Sequence, residues 1–173
     1  ELASYLALPS AVAVTSCTAA MHLALLAAGV REGDEVVTSP LTFIGTPNSI
    51  VMAGATPVFA DVDRATGNID PRAIEAALTE RTRAILPVHL YGQMADMEAI
   101  AEIARRRGLA VVEDAAHSLE AQWNGGRPGH FGDFACFSFY ATKNISSGEG
   151  GAISAKTPHA SELLRKLRLH GFD

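Results

Sequence analysis

Apolar and polar positions along the chain follow two alternating rhythms. Short β-rich apolar runs at residues 11–15, 35–38, 56–60, 84–88, 109–112, 134–139 and 152–154 have strand length. Between them lie amphipathic stretches with helical spacing. One runs from Thr18 to about Ala28 and is closed by Gly29; another covers 44–53 and ends at Gly54. Asp70 offers an N-cap and Pro71 a first-turn position for a helix through Leu78. Asp96 caps the next helix, which stops near Gly108. Pro158 opens the last, with Leu163, Leu164 and Leu167 on one side. Strands that are apolar throughout and separated by helices predict an α/β fold: a mainly parallel sheet in a three-layer αβα arrangement, covered on both faces. In such sheets a ligand sits at the carboxyl ends of the strands, near a switch in strand order, so the residues just after each strand are the ones to examine.

Composition narrows the function classes. The 173 residues fit one domain, 48% are apolar and 19% charged, and the net charge is −5 with the histidines neutral. That balance argues against nucleic acid as a partner, because such domains carry a basic stripe. The basic cluster Arg105–Arg107 falls at a helix end, where it complements the dipole. Cys17 and Cys136 lie far apart with no CxxC pattern, which speaks against a disulfide framework or zinc site and for a reducing cytoplasm. No apolar run approaches the roughly 20 residues that span a bilayer, so no membrane segment is expected. The chain starts without Met inside what reads as a helix, and stops at RKLRLHGFD without an obvious finish. Both ends predict a piece of a longer polypeptide.

Three strand-end segments carry candidate chemistry. The strand at 109–112 runs into Glu113-Asp114-Ala115-Ala116-His117. A carboxylate at the end of a buried strand needs a cation, a metal or a strong donor, or it serves simply as a helix cap or structural ion pair. Adjacent strand residues point to opposite faces, so Glu113 and Asp114 are poorly placed to share a metal ion. The segment Ser138-Phe139-Tyr140-Ala141-Thr142-Lys143-Asn144 precedes Gly148-Glu149-Gly150-Gly151. A lysine behind an apolar strand and before a glycine-rich turn can be held partly desolvated, the setting of a nucleophilic amine. Taken alone, Lys143 reads as a surface lysine, the commoner fate of that residue. Thr15-Ser16-Cys17-Thr18-Ala19-Ala20, between a strand and its helix, makes a natural phosphate seat; a simple capping role for Ser16 or Thr18 is the equally open alternative. Neither GxGxxG nor a P-loop is present. An anion seat, an acid and a reactive lysine on the strand ends of one sheet together describe pyridoxal phosphate chemistry. The seat anchors the phosphate, the acid keeps the ring nitrogen protonated, and the lysine forms the Schiff base.

The ordered segments SCTAAMHLALLAAGVREGDEVVTSPLTFIGTPNSIVMAGATPVFADVD, PVHLYGQMADMEAI, VVEDAAHS and FGDFACFSFYATKNISSGEGGAIS resemble the DegT/DnrJ/StrS-type aminotransferases. These are fold-type-I pyridoxal-phosphate enzymes, often called sugar aminotransferases. The resemblance implies that Lys143 occupies the Schiff-base position and shuttles a proton, and that Asp114 partners the pyridine nitrogen. It places His117 beside the ring and its phenolic oxygen, and Phe43 as the stacking aromatic. Thr18 and Ala19 match the phosphate-binding turn, Ser138 a hydroxyl that also reaches the phosphate, and Glu149 with its glycines a loop-shaping turn. Cys17 stands where Gly or Asn is more usual, and Gly45 where Ala is common. The resemblance further implies that residues 1–173 are an incomplete cofactor-binding large domain, lacking an N-terminal segment and the C-terminal small domain. The full-length protein is then expected to be a homodimer with the active site at the interface.

The expected reaction is a transamination from an amino acid, glutamate above others, to the keto group of a nucleotide-linked sugar. The family resemblance alone supplies that acceptor. Other readings remain open: a cyclitol or other keto acceptor, a non-catalytic cofactor-binding regulator, and a plain α/β binding module.

Overall fold

A computed structural model of the chain describes residues 1–171. Its secondary structure runs α1 (Leu2–Leu6), β1 (Val12–Val14), α2 (Cys17–Ala27), β2 (Glu35–Thr38), α3 (Gly45–Met52), β3 (Thr56–Phe59) and α4 (Pro71–Ala77). It continues with β4 (Thr82–Leu86), a 3₁₀ turn (Leu90–Gly92), α5 (Met97–Arg107), β5 (Ala110–Asp114), β6 (Phe134–Ser138), β7 (Gly151–Ala155) and α6 (Pro158–Leu167). The seven strands form one sheet in the order β1-β7-β6-β5-β4-β2-β3. The β3, β2, β4, β5 and β6 neighbours are parallel, while β7 is antiparallel to both β6 and β1. The chain moves outward from β2 to β3, then resumes on the other side of β2 with β4. The order therefore switches beside β2, as a doubly wound sheet requires.

Helices cover both faces. On one, α2, α3 and α6 bury Met21, Leu25, Ile50 and Leu164 against Val36, Val112, Cys136 and Ile153. On the other, α4 and α5 bury Ile74, Ile100 and Ile103 against Val37, Ile85 and Val111. A smaller cluster places Leu6 of α1 with Ala135, Phe137 and Ala152. This is the predicted three-layer arrangement. The side chains of β2 are buried throughout, whereas β3, an edge strand, is only partly covered and carries Pro57 where no ladder partner is needed. The caps expected at Asp70 and Asp96 form, accepting the N–H groups of Arg72 and Ala99. Gly108 ends α5 in the left-handed conformation. Arg105 and Arg106 in its last turn also pair with Glu102 and Glu75.

Two boundary shifts bear on function. The strand expected at 84–88 lies earlier, at Thr82–Leu86. The strand expected to stop at Val112 continues through Asp114, because Glu113 and Asp114 both find donors on α3 and on the loop before β6. The two carboxylates lie within β5 rather than after it.

Candidate functional site

The carboxyl ends of β5 and β6, the loop after β2 and the start of α2 converge on one cleft of about 400 Å³. α2 begins where it does because Ser16, in an extended conformation, accepts the Ala19 N–H on Oγ at 3.1 Å. Gly151 allows that helix start to press against the sheet. A Cβ there would stand 2.5 Å from the Ser16 carbonyl carbon and 2.8 Å from the Cys17 nitrogen. Ser16, Cys17 and Thr18 thus bring the positive end of the helix dipole to the cleft wall, a seat suited to an anion.

β5 delivers the acid. Asp114 is 5% exposed, and three protein donors address it. The Thr46 hydroxyl donates to Oδ2 at 2.7 Å, the Ala116 N–H to Oδ1 at 3.1 Å, and the Cys17 thiol lies 3.8 Å from Oδ1. The sequence called for a cation, metal or strong donor, and hydroxyl, amide and thiol fill that need. Burial and the nearby Asp114 charge push the Cys17 thiol well above the ordinary thiol range, so it stays a neutral donor. Glu113 turns to the other face of the strand, as the period of two requires. Its Oε1 accepts the N–H groups of Gly129 and Gly132, and its Oε2 meets Nε2 of His89 at 2.9 Å.

β6 ends at Ser138, whose Oγ accepts the Tyr140 N–H at 3.3 Å. The following turn carries Lys143, whose backbone N–H donates to the Tyr140 carbonyl at 2.9 Å. Lys143 is half-buried, and its amine makes no hydrogen bond or ion pair among the described residues. Gly150, with φ of 143°, closes the loop behind it against Phe139 and Ser147.

His117 is stacked on Tyr91, with ring centroids 5.8 Å apart and planes 5° from parallel. Tyr91 has a left-handed backbone, φ 52°, and in that conformation its N–H donates to His117 Nδ1 at 3.3 Å. Burial first, then the Lys143 charge, hold the imidazole below the ordinary histidine range, while Asp114 acts in the opposite direction. The neutral ring with Nδ1 accepting carries its proton on Nε2. Phe43, 73% exposed, stands in the loop between β2 and α3 at the cleft wall. Gly45 lies close behind it: a Cβ there would meet Thr18 Oγ1 at 2.7 Å and the Phe43 ring at 2.9 Å.

Lys143, Asp114, His117, Thr18, Phe43 and Ser138 all line this cleft. Ala19 does not; its N–H is taken by the Ser16 cap. Thr46 and Cys17, which hold Asp114, and Tyr91, which sets His117, were not singled out as functional by the sequence. One signal was available: a buried strand-end acid demands donors, and short hydroxyl and thiol side chains on neighbouring elements are the natural source. An adjoining hollow of about 300 Å³ shares Lys143, His117 and Ser138 with the cleft, and Tyr91, Glu120 and Asn144 are among its other wall residues.

Comparison with known proteins gives the same picture. The profile of a family described as the DegT/DnrJ/EryC1/StrS aminotransferase family matches residues 1–173. The chain is 52% identical over 171 residues to the spore coat polysaccharide biosynthesis protein SpsC of Bacillus subtilis, covering 99% of this chain and 44% of that protein. It is 46% identical over 171 residues to GDP-perosamine synthase of Caulobacter vibrioides, covering 99% of this chain and 46% of that one. Among solved structures it superposes with a TM-score of 0.96 on S. venezuelae DesV in complex with a ketimine intermediate, at 43% identity, covering 99% of this chain and 46% of DesV. The chain therefore spans less than half the length of the curated relatives it matches.

Proposed function

The chain belongs to the DegT/DnrJ/EryC1/StrS aminotransferase family, and from that premise we propose that it is the cofactor-carrying large domain of a pyridoxal-phosphate-dependent aminotransferase. The observation that carries this reading is the convergence of Lys143, Asp114 and the N-terminus of α2 on one cleft. The residues suit the cofactor. The helix start offers an anion seat, Asp114 a buried carboxylate for a protonated ring nitrogen, Lys143 an unpaired amine, and Phe43 a flat apolar face.

When bound, pyridoxal phosphate supplies an electron-poor ring that stabilises negative charge at the carbon bearing the transferred amine. Lys143 Nζ would hold the cofactor covalently. The same Nζ, once free, would be the base that holds and moves a proton at the α-carbon of the amino donor. Asp114 keeps a proton on the ring nitrogen. His117, neutral, would offer its Nε2–H to the phenolic oxygen, and Thr18 and Ser138 would offer hydroxyls to the phosphate.

The amino donor in this reading is glutamate, and the acceptor is a keto group of a nucleotide-linked sugar. The names of SpsC and GDP-perosamine synthase support that class of acceptor. The hollow beside Lys143 gives such an acceptor a route to the reacting amine. The reading includes a homodimer, supported by Leu41, Phe43, Ile44 and Tyr91, large apolar side chains exposed in the loops around the cleft. It also places the protein in the cytoplasm, in keeping with two free buried cysteines. No helix among the described residues is long and apolar enough to cross a membrane.

Incubating the holoenzyme with glutamate alone tests the reading. One equivalent of 2-oxoglutarate per site, with conversion of the cofactor to its amine form, is expected. Cofactor binding without that conversion would favour a regulatory homologue. A panel of keto sugars and cyclitols then identifies the acceptor.

A further inference from the structure

A carboxylate offers about four lone-pair positions, and at Asp114 the protein fills three of them. Oδ1 accepts the Ala116 N–H at 3.1 Å and faces the Cys17 thiol at 3.8 Å; Oδ2 accepts the Thr46 hydroxyl at 2.7 Å. Only Oδ2 keeps a position in reserve. Thr46 is 1% exposed. With its single proton given to Asp114, its oxygen can only accept from a second hydroxyl, that of Thr42, 2.7 Å away. The chain of donors has one direction: Thr42 to Thr46 to Asp114. Thr42 is the residue next to Phe43, and both line the cleft.

We infer that Thr46 is a positioning residue for Asp114, and that the Thr42–Thr46 pair locks the acid to the loop that bears Phe43. The inference rests on the cofactor reading above and concerns residues to which that reading gives no role. The Thr46 hydroxyl fixes the carboxyl plane, so that the unfilled position on Oδ2 is the one left for the ring N–H. Its hydrogen bond also leaves that position as an acceptor facing the cleft, where a ring N–H would donate. Through Thr42 the same bond sets the distance between the acid at one edge of the ring and the aromatic on its face. Thr46 is the second residue of α3 and is bonded 68 positions away in the chain, so local helix formation alone does not call for a hydroxyl there.

The test uses holoenzyme loaded with pyridoxal phosphate carrying ¹⁵N in the ring, comparing wild type, Thr46→Val, Thr46→Ser, Thr42→Val and Asp114→Asn. Valine matches threonine in shape but removes the donor; serine keeps it. The ring-nitrogen shift reports protonation directly. Wild type and Thr46→Ser are expected to share a protonated-range shift across neutral pH. Thr46→Val moves it toward the unprotonated range and weakens cofactor binding roughly tenfold, the loss expected for one hydrogen bond to a charged group. Thr42→Val moves it the same way by less. A Thr46→Val shift equal to wild type, or a Thr46→Ser shift as displaced as Thr46→Val, overturns the role of Thr46 alone. Wild type that binds no cofactor, or a ring nitrogen indifferent to Asp114→Asn, overturns the site reading and this inference with it.

Discussion

His89 and Glu113, both fully buried, meet at 2.9 Å between Nε2 and Oε2. His89 Nδ1 accepts the Ala95 N–H at 3.2 Å, so Nε2 carries the proton and donates to the carboxylate. Glu113 is then an anion held by three neutral donors: the imidazole and the N–H groups of Gly129 and Gly132. It fastens the loop after β4 and the loop before β6 to β5, the strand that ends in Asp114.

Glu113→Ala leaves those three donors buried without an acceptor, each worth about 1–3 kcal/mol. The variant should lose at least about 3 kcal/mol of stability in urea unfolding. Glu113→Gln should lose less, since its amide oxygen still serves the two glycines. Equal losses for the two variants would show that packing, not the carboxylate, matters there.

Gly151→Ala tests the close approach of β7 to α2. The new methyl would press on backbone atoms of Ser16 and Cys17, which have no rotamer to change. A destabilisation of about 1–3 kcal/mol is expected. The helix start should also move, so weaker phosphate and cofactor binding should accompany the loss. Gly45→Ala is the contrasting case: the atoms it meets are the Thr18 hydroxyl and the exposed Phe43 ring. Its stability should stay within about 1 kcal/mol of wild type, the usual range for a change that side-chain movement can absorb.

His117 should titrate below the ordinary histidine range in the cofactor-free protein, followed by its imidazole NMR signals. Lys143→Ala removes one of the two forces lowering it and should raise the midpoint part of the way; Asp114→Asn should lower it further. Between the folded and unfolded midpoints the unfolded chain binds more protons at this position. Stability therefore rises with pH across that window, and the penalty is full below the folded value and gone above the unfolded one. A midpoint unmoved by Lys143→Ala would contradict the proximity of the two groups.

Both thiols are buried and raised above the ordinary range, Cys17 by burial and Asp114, Cys136 by burial and the two β5 acids. Neither should react with a thiol reagent faster than the protein opens, and both should react in denaturant. Rapid labelling of Cys17 in the native protein would contradict its place as a neutral donor to Asp114.

The layered architecture was legible because its elements announce themselves locally. Asp70-Pro71 and Gly108 mark helix ends, and uniformly apolar strands mark a sheet covered on both sides. The end of β5 was not legible, because the residues that let Glu113 and Asp114 stay in the sheet lie far away along the chain. Thr46 is 68 positions from Asp114, and Gly132 is 19 from Glu113. For the same reason the sequence could nominate Asp114 but not Thr46. At the phosphate seat it left Ser16 and Thr18 as rival caps; backbone geometry gives the cap to Ser16 and leaves Thr18 on the cleft wall. The left-handed Tyr91 has no sequence signal of its own beyond the Gly92 beside it.

Lys143 is the residue on which cofactor attachment depends. Borohydride reduction of the cofactor-loaded protein, followed by peptide mass mapping, tests it most directly. A single pyridoxyl-phosphate-sized adduct on Lys143, lost in Lys143→Ala, is the predicted result. An adduct on another lysine, or none in a protein that has bound the cofactor, would contradict it.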